Sequence, residues 1–304
     1  MNIPSGITVI ERGWLNCNQI LLMNPRDAVL IDSGYGRHAG DTLALVKQHL
    51  GTRKLTRLIN THCHSDHMGG NAMIGREFRC RITVPDGEAR HLKPWNPQAL
   101  WLKYADQHAP RFEFTDTIMR GQSFTAGGLT WHAHAAPGHD DDALMYWNEK
   151  EKVLISGDAL WQDGMGAVFP AEEGHAALDR ASATLDAIEA LKPRLVIPGH
   201  GAPFTDVAEA IERARGRLGA FAADPARNAR HIVKVMLMFN LLDRGSLRVD
   251  SLASYLEKIP VYRDMNERFI HSEYSQLAAR TLADLVKAGV VKVDGPLVLP
   301  AIKA

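Results

Sequence analysis

The chain has 304 residues, and its 35 Lys/Arg balance 35 Asp/Glu for a formal net charge of zero. That balance gives no electrostatic ground for a nucleic-acid or membrane partner, and no apolar run reaches the ~18 residues of a membrane span. The length allows one large domain and one small one.

The N-terminus, Met1-Asn2-Ile3-Pro4-Ser5-Gly6, lacks a basic region followed by an apolar stretch, so no signal peptide is expected. Ile7–Ile10, Gln19–Met23 and Ala28–Ile31 read as strands. Asp32 ends the third, where it is expected to accept a hydrogen bond from a ligand histidine and fix its tautomer. Asp41–His49 reads as a helix with Asp41 as N-cap and Gly51 closing it.

After Leu58-Ile59-Asn60 comes Thr61-His62-Cys63-His64-Ser65-Asp66-His67. Three imidazoles and a carboxylate within six residues are a metal-preferring packet, since neutral imidazole suits Zn, Fe and Ni and a carboxylate balances charge. Cys63 is expected to point away from the metals as a buried bystander. The three cysteines, Cys17, Cys63 and Cys80, form no CxxC pair and no even framework, which fits reduced thiols and a cytoplasmic location. Gly69-Gly70-Asn71 opens another helix.

Residues 85–126 read as an insertion carrying Trp95, Trp101, Tyr104, Phe112, Phe114, Phe124 and Met119, broken by Pro94, Pro97 and Pro110. It is expected to act as a lid, most of its aromatics packing onto the body and one or two facing an apolar pocket. The β-like runs beginning at Leu129, Lys152 and Arg194 end at His139, Asp158 and His200. Four strand ends carrying donors imply one site along one sheet edge. After Asp158, Trp161, Met165 and Phe169 are the expected substrate contacts, and His175 is placed on the surface. Leu178–Leu191 and Val207–Phe221 show helical spacing, and Ala222-Ala223-Asp224-Pro225 reads as a boundary.

His62, His64, Asp66, His67, His139, Asp158 and His200 exceed what one tetrahedral metal takes. The assignment is two divalent ions, Zn first, with Mn or Fe as alternatives. His62, His64 and His139 hold one, Asp66, His67 and His200 the other, and Asp158 bridges. A shared water completes both shells, its pKa lowered toward neutrality by the two cations, with Asp66 or Asp158 able to accept a proton in passing.

From about residue 226, helical runs at His231–Leu242, Leu252–Leu256 and Arg268–Ala288 precede a hairpin turning at Asp294-Gly295. The division is 1–224 catalytic and 225–304 winged-helix-like. With twelve Lys/Arg against eight Asp/Glu the tail is only mildly basic, so nucleic acid is not the expected partner. A small-molecule substrate is, and packing or homodimer formation is the alternative use of such a tail.

The donor pattern resembles the metallo-β-lactamase-fold hydrolase superfamily, whose signature is His-x-His-x-Asp-His followed by isolated His, Asp and His. The resemblance covers roughly residues 7–205. Leu30-Ile31-Asp32-Ser33-Gly34 and Pro198-Gly199-His200-Gly201 also match. It implies an α/β fold, a four-layer αβ/βα sandwich with the site at one edge between two sheets. Class B β-lactamases carry Cys or Ser where Asp158 stands, which points away from a dedicated β-lactamase. Gly164–Phe169 is similar to the Gly-Cys-Gly-Lys-Phe-Tyr segment of the glyoxalase II branch, but Ala167 and Phe169 replace the Lys and Tyr that contact glutathione there. The expectation is therefore hydrolysis of a thioester, ester or lactone with an apolar portion. The alternatives are a mononuclear-iron persulfide dioxygenase and a metal-dependent nuclease.

Overall fold

The computed structural model describes residues 2–170 and 176–302. His175 lies outside them.

Two sheets form the centre. The first has strands β1 (Ile7–Ile10), β2 (Gln19–Met23), β3 (Asp27–Ile31), β4 (Lys54–Ile59), β5 (Arg81–Pro85) and β6 (Asp116–Ile118), in that order. The second runs β11-β10-β9-β8-β7, from β7 (Ser123–Ala126), β8 (Leu129–Ala135), β9 (Leu144–Asn148), β10 (Val153–Gly157) and β11 (Leu195–Pro198). Side chains alternate across a strand, and this sequence uses both faces. Val29 and Ile31 point into the core shared by the sheets, as do Val153 and Ile155. Leu30 and Leu58 face outward onto α1 (Ala39–Leu50), and the same outer core reaches Ile74 of a second helix. Leu154 and Val196 face outward onto the opposite helical layer. Apolar residues on both faces require cover on both sides, and the result is a helix–sheet–sheet–helix sandwich.

The remaining helices of the first layer are α2 (Ser65–Met68), α3 (Asn71–Phe78) and α4 (Ala89–Leu92); those of the last are α5 (Ala176–Leu191) and α6 (Val207–Ala223). The helical C-terminal region has α7 (Pro225–Arg244), α8 (Leu252–Lys258), α9 (Pro260–Met265) and α10 (Tyr274–Lys287). Beside them lies a small sheet in the order β12-β14-β13, of β12 (Leu247–Arg248), β13 (Val291–Asp294) and β14 (Leu297–Pro300). Asp224 caps α7 by accepting from Arg227 N–H at 2.9 Å. No helix among the described residues is long and apolar enough to cross a membrane.

Two expectations change. Residues 116–126 are not part of a lid: β6 closes the first sheet, and β7 places Phe124 and Ala126 in the core between the sheets. The run Arg268–Ala288 is also not one helix. A wide turn over Asn266–Ile270 ends at His271, whose φ of 54° is left-handed, and α10 begins at Tyr274. Asn266 holds the break by accepting from Ser272 N–H at 3.0 Å and donating to Ser272 O at 2.8 Å.

Candidate metal centre

Each of the seven donors follows the end of a strand or opens the short helix behind one. β4 delivers His62 and His64, and α2 turns Asp66 and His67 back toward the sheet edge. β8, β10 and β11 end just before His139, Asp158 and His200. Close backbone approach explains two glycines here. A Cβ on Gly199 would stand 2.2 Å from Asp158 Oδ1, and one on Gly166 would stand 2.6 Å from the His139 ring.

The donors fall into two groups. His62, His64 and His139 converge, with His64 Nδ1 2.9 Å from His139 Nε2. Asp66, His67, Asp158 and His200 form the second group. There His200 Nε2 lies 3.0 Å from Asp66 Oδ2, and His67 Nε2 lies 3.3 Å from Asp158 Oδ1. Asp158 Oδ2 reaches back to within 3.5 Å of His139 Nε2, which places this carboxylate between the groups.

Asp32 orients rings in both. Its Oδ2 accepts from His67 Nδ1–H at 2.9 Å and from the Thr61 hydroxyl at 2.8 Å. Its Oδ1 accepts from Thr61 N–H at 2.8 Å. The Thr61 hydroxyl in turn accepts from His62 Nδ1–H at 3.1 Å. An ionised carboxylate only accepts, so both rings carry a proton on Nδ1 and turn Nε2 toward the donor groups. The geometry requires Asp32 at φ 57°. That left-handed backbone costs about 1–2 kcal/mol. Three hydrogen bonds to a charged acceptor, about 1.5–3 kcal/mol each, outweigh it. His139 is fixed in the same tautomer, donating from Nδ1 to Ala167 O at 2.7 Å.

These features fit divalent cations. His62 Nε2 is buried and has no hydrogen-bond partner among the described residues, a cost of about 1–3 kcal/mol that a metal ion would remove. Burial, with the neighbouring His67 and His64, holds His62 well below its usual pKa, so its imidazole is neutral and ready to donate a lone pair. His67 shows the opposite: burial opposes its charge, yet Cys17, Asp158, Asp66 and Asp32 hold it well above the usual value. A proton there stands in for the positive charge that the carboxylates demand. Burial would also raise Asp158, but His67 and His200 hold it well below the usual carboxylate range. Imidazoles beside ionised carboxylates, with His67 giving up its second proton to a bound cation, form a hard-to-borderline donor set suited to Zn, Mn or Fe.

The expected substrate contacts divide. Trp161 and Phe169 line a cavity over the donors together with Trp101. Met165 does not: it is 5 % exposed and packs into the outer core against α5 and α6, because the loop after Asp158 turns its other face to the cavity. Cys63 is buried in the outer core of the first sheet, its N–H donating to Glu88 Oε1 at 3.1 Å.

Sequence reasoning missed the loop between β1 and β2 and the contribution of α7. Trp14 stacks on His200 at 5.7 Å and 10° while remaining 46 % exposed. Asn18 donates to Pro198 O and Gly201 O, bracketing His200. Cys17 packs behind His67 with Asp32. Val235, Met236 and Phe239 line the cavity from α7; the sequence marks His231–Leu242 as helical but not what the helix faces.

The family model described as the metallo-beta-lactamase superfamily matches residues 12–200. A hydroxyacylglutathione hydrolase of Bdellovibrio bacteriovorus is 31 % identical over 128 residues, 41 % of this chain and 43 % of that protein. The match thus spans less than half of that relative. An atrochrysone carboxyl ACP thioesterase of Aspergillus fumigatus is 26 % identical over 198 residues, 64 % of this chain and 54 % of that protein. A metallo-beta-lactamase family protein from Thermus thermophilus superposes with a TM-score of 0.57 at 21 % identity, covering 97 % of this chain and 98 % of that one. At that identity the likeness is one of fold, and it extends through the C-terminal region.

Proposed function

The chain belongs to the metallo-beta-lactamase superfamily, and from that premise we propose that it is a dinuclear metal-dependent hydrolase of a thioester, ester or lactone with an apolar portion. The observation that carries the reading is the pair of donor groups joined by Asp158 beneath an apolar cavity. His62, His64 and His139 would hold one ion, Asp66, His67 and His200 the other, with Asp158 shared. When bound, two divalent cations supply an activated water and polarise the acyl oxygen.

The protein's own part is orientation and exclusion. Asp32 and Ala167 O hold the Nδ1 side of three imidazoles, so each ring turns its Nε2 toward the site. Trp101, Trp161 and Phe169 shield the donors from bulk solvent and offer apolar surface to the acyl portion. Asp66 and Asp158 are the carboxylates placed to accept a proton as the acyl bond breaks.

The thioesterase and hydroxyacylglutathione hydrolase among the relatives support acyl-thiol chemistry. Ala167 and Phe169 put no cation or phenol where the glyoxalase II segment has Lys and Tyr, which argues against a glutathione portion held at these two positions. We read 1–224 as the catalytic unit and 225–304 as a winged-helix-like unit whose first helix covers the site. The three free thiols support a cytoplasmic setting.

The test is elemental analysis of the purified protein alongside turnover of thioesters, esters and lactones. Two Zn or Mn per chain with acyl hydrolysis is the expected result. One Fe with oxygen uptake on a persulfide, or metal-dependent cleavage of RNA with no acyl hydrolysis, overturns it.

A further inference from the structure

Two cavities meet at His64 and His139, and they differ in size and chemistry. The inner one, about 40 Å³, is bounded by Trp101, Trp161, Phe169 and by Val235, Met236 and Phe239 of α7. Asp66, Asp158 and His200 open onto it. The outer one, about 450 Å³, carries Arg90, Arg180, Arg268, Asp141 and Asp142 on its walls. Trp101 and Phe169 border both, with ring centroids 4.4 Å apart at 72°. They form the partition. Trp101 holds this place at φ 61°, a left-handed backbone that is rare for so bulky a residue and that its packing must maintain.

The volumes set what each side accepts. One water-sized group takes up about 10–15 Å³ by this measure, so the inner cavity admits roughly three heavy atoms. Its aromatic and aliphatic walls favour methyl and methylene groups over polar ones. A larger, charged portion of substrate finds space only outside the partition.

We propose that the substrate is divided at Trp101 and Phe169: a short acyl group, acetyl to butyryl, places its alkyl tail of one to about three carbons inside, and a bulkier charged thiol or alcohol portion lies in the outer cleft. Met236 and Phe239 of the C-terminal region set the acyl length limit. This rests on the acyl-hydrolase reading and adds to it the substrate's size and partition, and a role for α7. In the reaction, water oxygen bonds to the acyl carbon and the bond from that carbon to sulfur or oxygen breaks. One proton of the water ends on the leaving atom. The short acid remains inside, and the thiol or alcohol departs through the outer cleft.

The experiment uses the full chain and two readouts. Metal-loaded protein is assayed with N-acetylcysteamine thioesters from acetyl to decanoyl. Binding of the matching free carboxylates, acetate to decanoate, is followed by tryptophan fluorescence with and without metal. Turnover and binding should both peak between acetyl and butyryl and fall by about tenfold or more at hexanoyl, as overpacking predicts. Met236→Ala should move both optima toward longer chains, and Phe169→Ala should do so by opening the partition, so the proposal stays testable if one variant misfolds. Turnover without chain-length preference, a preference for octanoyl or longer, or an unchanged profile in both variants overturns the two-chamber proposal but leaves the hydrolase reading standing. No turnover of any ester overturns the hydrolase reading, and the carboxylate binding profile then decides the size of the chamber by itself.

Discussion

Asp158 faces His139 across the divide between the two donor groups, Oδ2 to Nε2, at 3.5 Å. Its other oxygen lies 3.3 Å from His67 Nε2 in the second group. A single carboxylate reaching both sides is the geometry expected of a bridging ligand. Asp158→Ala should therefore lower metal content toward one ion per chain and abolish hydrolysis. Elemental analysis and turnover on the same preparation check this, and two retained metals with full activity would sink the bridging assignment.

Asp32 acts one layer further out, through His67 directly and through Thr61 to His62. Asp32→Asn keeps the shape but exchanges an acceptor oxygen for a donor, which misorients both rings. Metal affinity should fall about 10–100-fold, read by competition with a chromophoric chelator. Thr61→Val cuts the link to His62 and a long 3.4 Å contact with His67 Nδ1, but leaves the 2.9 Å bond between Asp32 and His67 in place. It should weaken one ion while sparing the other. Equal loss of both ions in the two variants would show that Asp32 does not act through separate arms.

These positions also show what the sequence made legible. The His62–His67 packet and the strand-end donors His139, Asp158 and His200 could be read because metal chemistry demands particular side chains and strands place them at one edge. Asp32 was legible for the same reason, standing at the end of β3 beside the packet. Met165 was not: the direction in which a loop turns each residue depends on packing between α5, α6 and the second sheet. Trp14, Cys17 and Asn18 reach the site from a loop whose place is set by long-range contacts with Asp66 and Gly199. The run His231–Leu242 was legible as a helix, but what α7 packs against was not, because its two neighbours, helical core and cavity, use the same residue types. The strands β6 and β7 were hidden in the aromatic-rich stretch because each is only three or four residues long.

Asn18 illustrates how such a contact is tested. Its side-chain amide donates at 3.0 Å to Pro198 O and at 2.7 Å to Gly201 O, and its N–H donates to Gly199 O at 2.6 Å. Asn18→Ala leaves two carbonyls flanking His200 without this donor. The expected loss is about 1–3 kcal/mol of stability, measured by urea unfolding. A weaker second metal site should accompany it, because the His200 loop is no longer held. An unfolding midpoint equal to wild type would show that water replaces the amide at no cost.

His231 provides a pH test away from the metal centre. It lies mostly buried on α7, its ring 5.2 Å from that of Phe221, and burial together with Arg217 and Lys234 lowers its pKa to about 4. The ordinary value is 6.5. Between these values the unfolded chain binds a proton that the folded chain refuses, so this residue makes stability fall as pH falls from about 6.5 toward 4. The full effect is about 3 kcal/mol, from 1.36 kcal/mol per pKa unit. His231→Gln cannot take up that proton. Relative to wild type, the variant should gain about 3 kcal/mol between pH 7 and pH 4, whatever it loses in packing at neutral pH. Taking the difference between the two proteins cancels the site histidines, which titrate in both. Parallel stability curves for wild type and variant over this range would show that His231 accepts its proton in the folded state, and that neither burial nor Arg217 keeps it neutral.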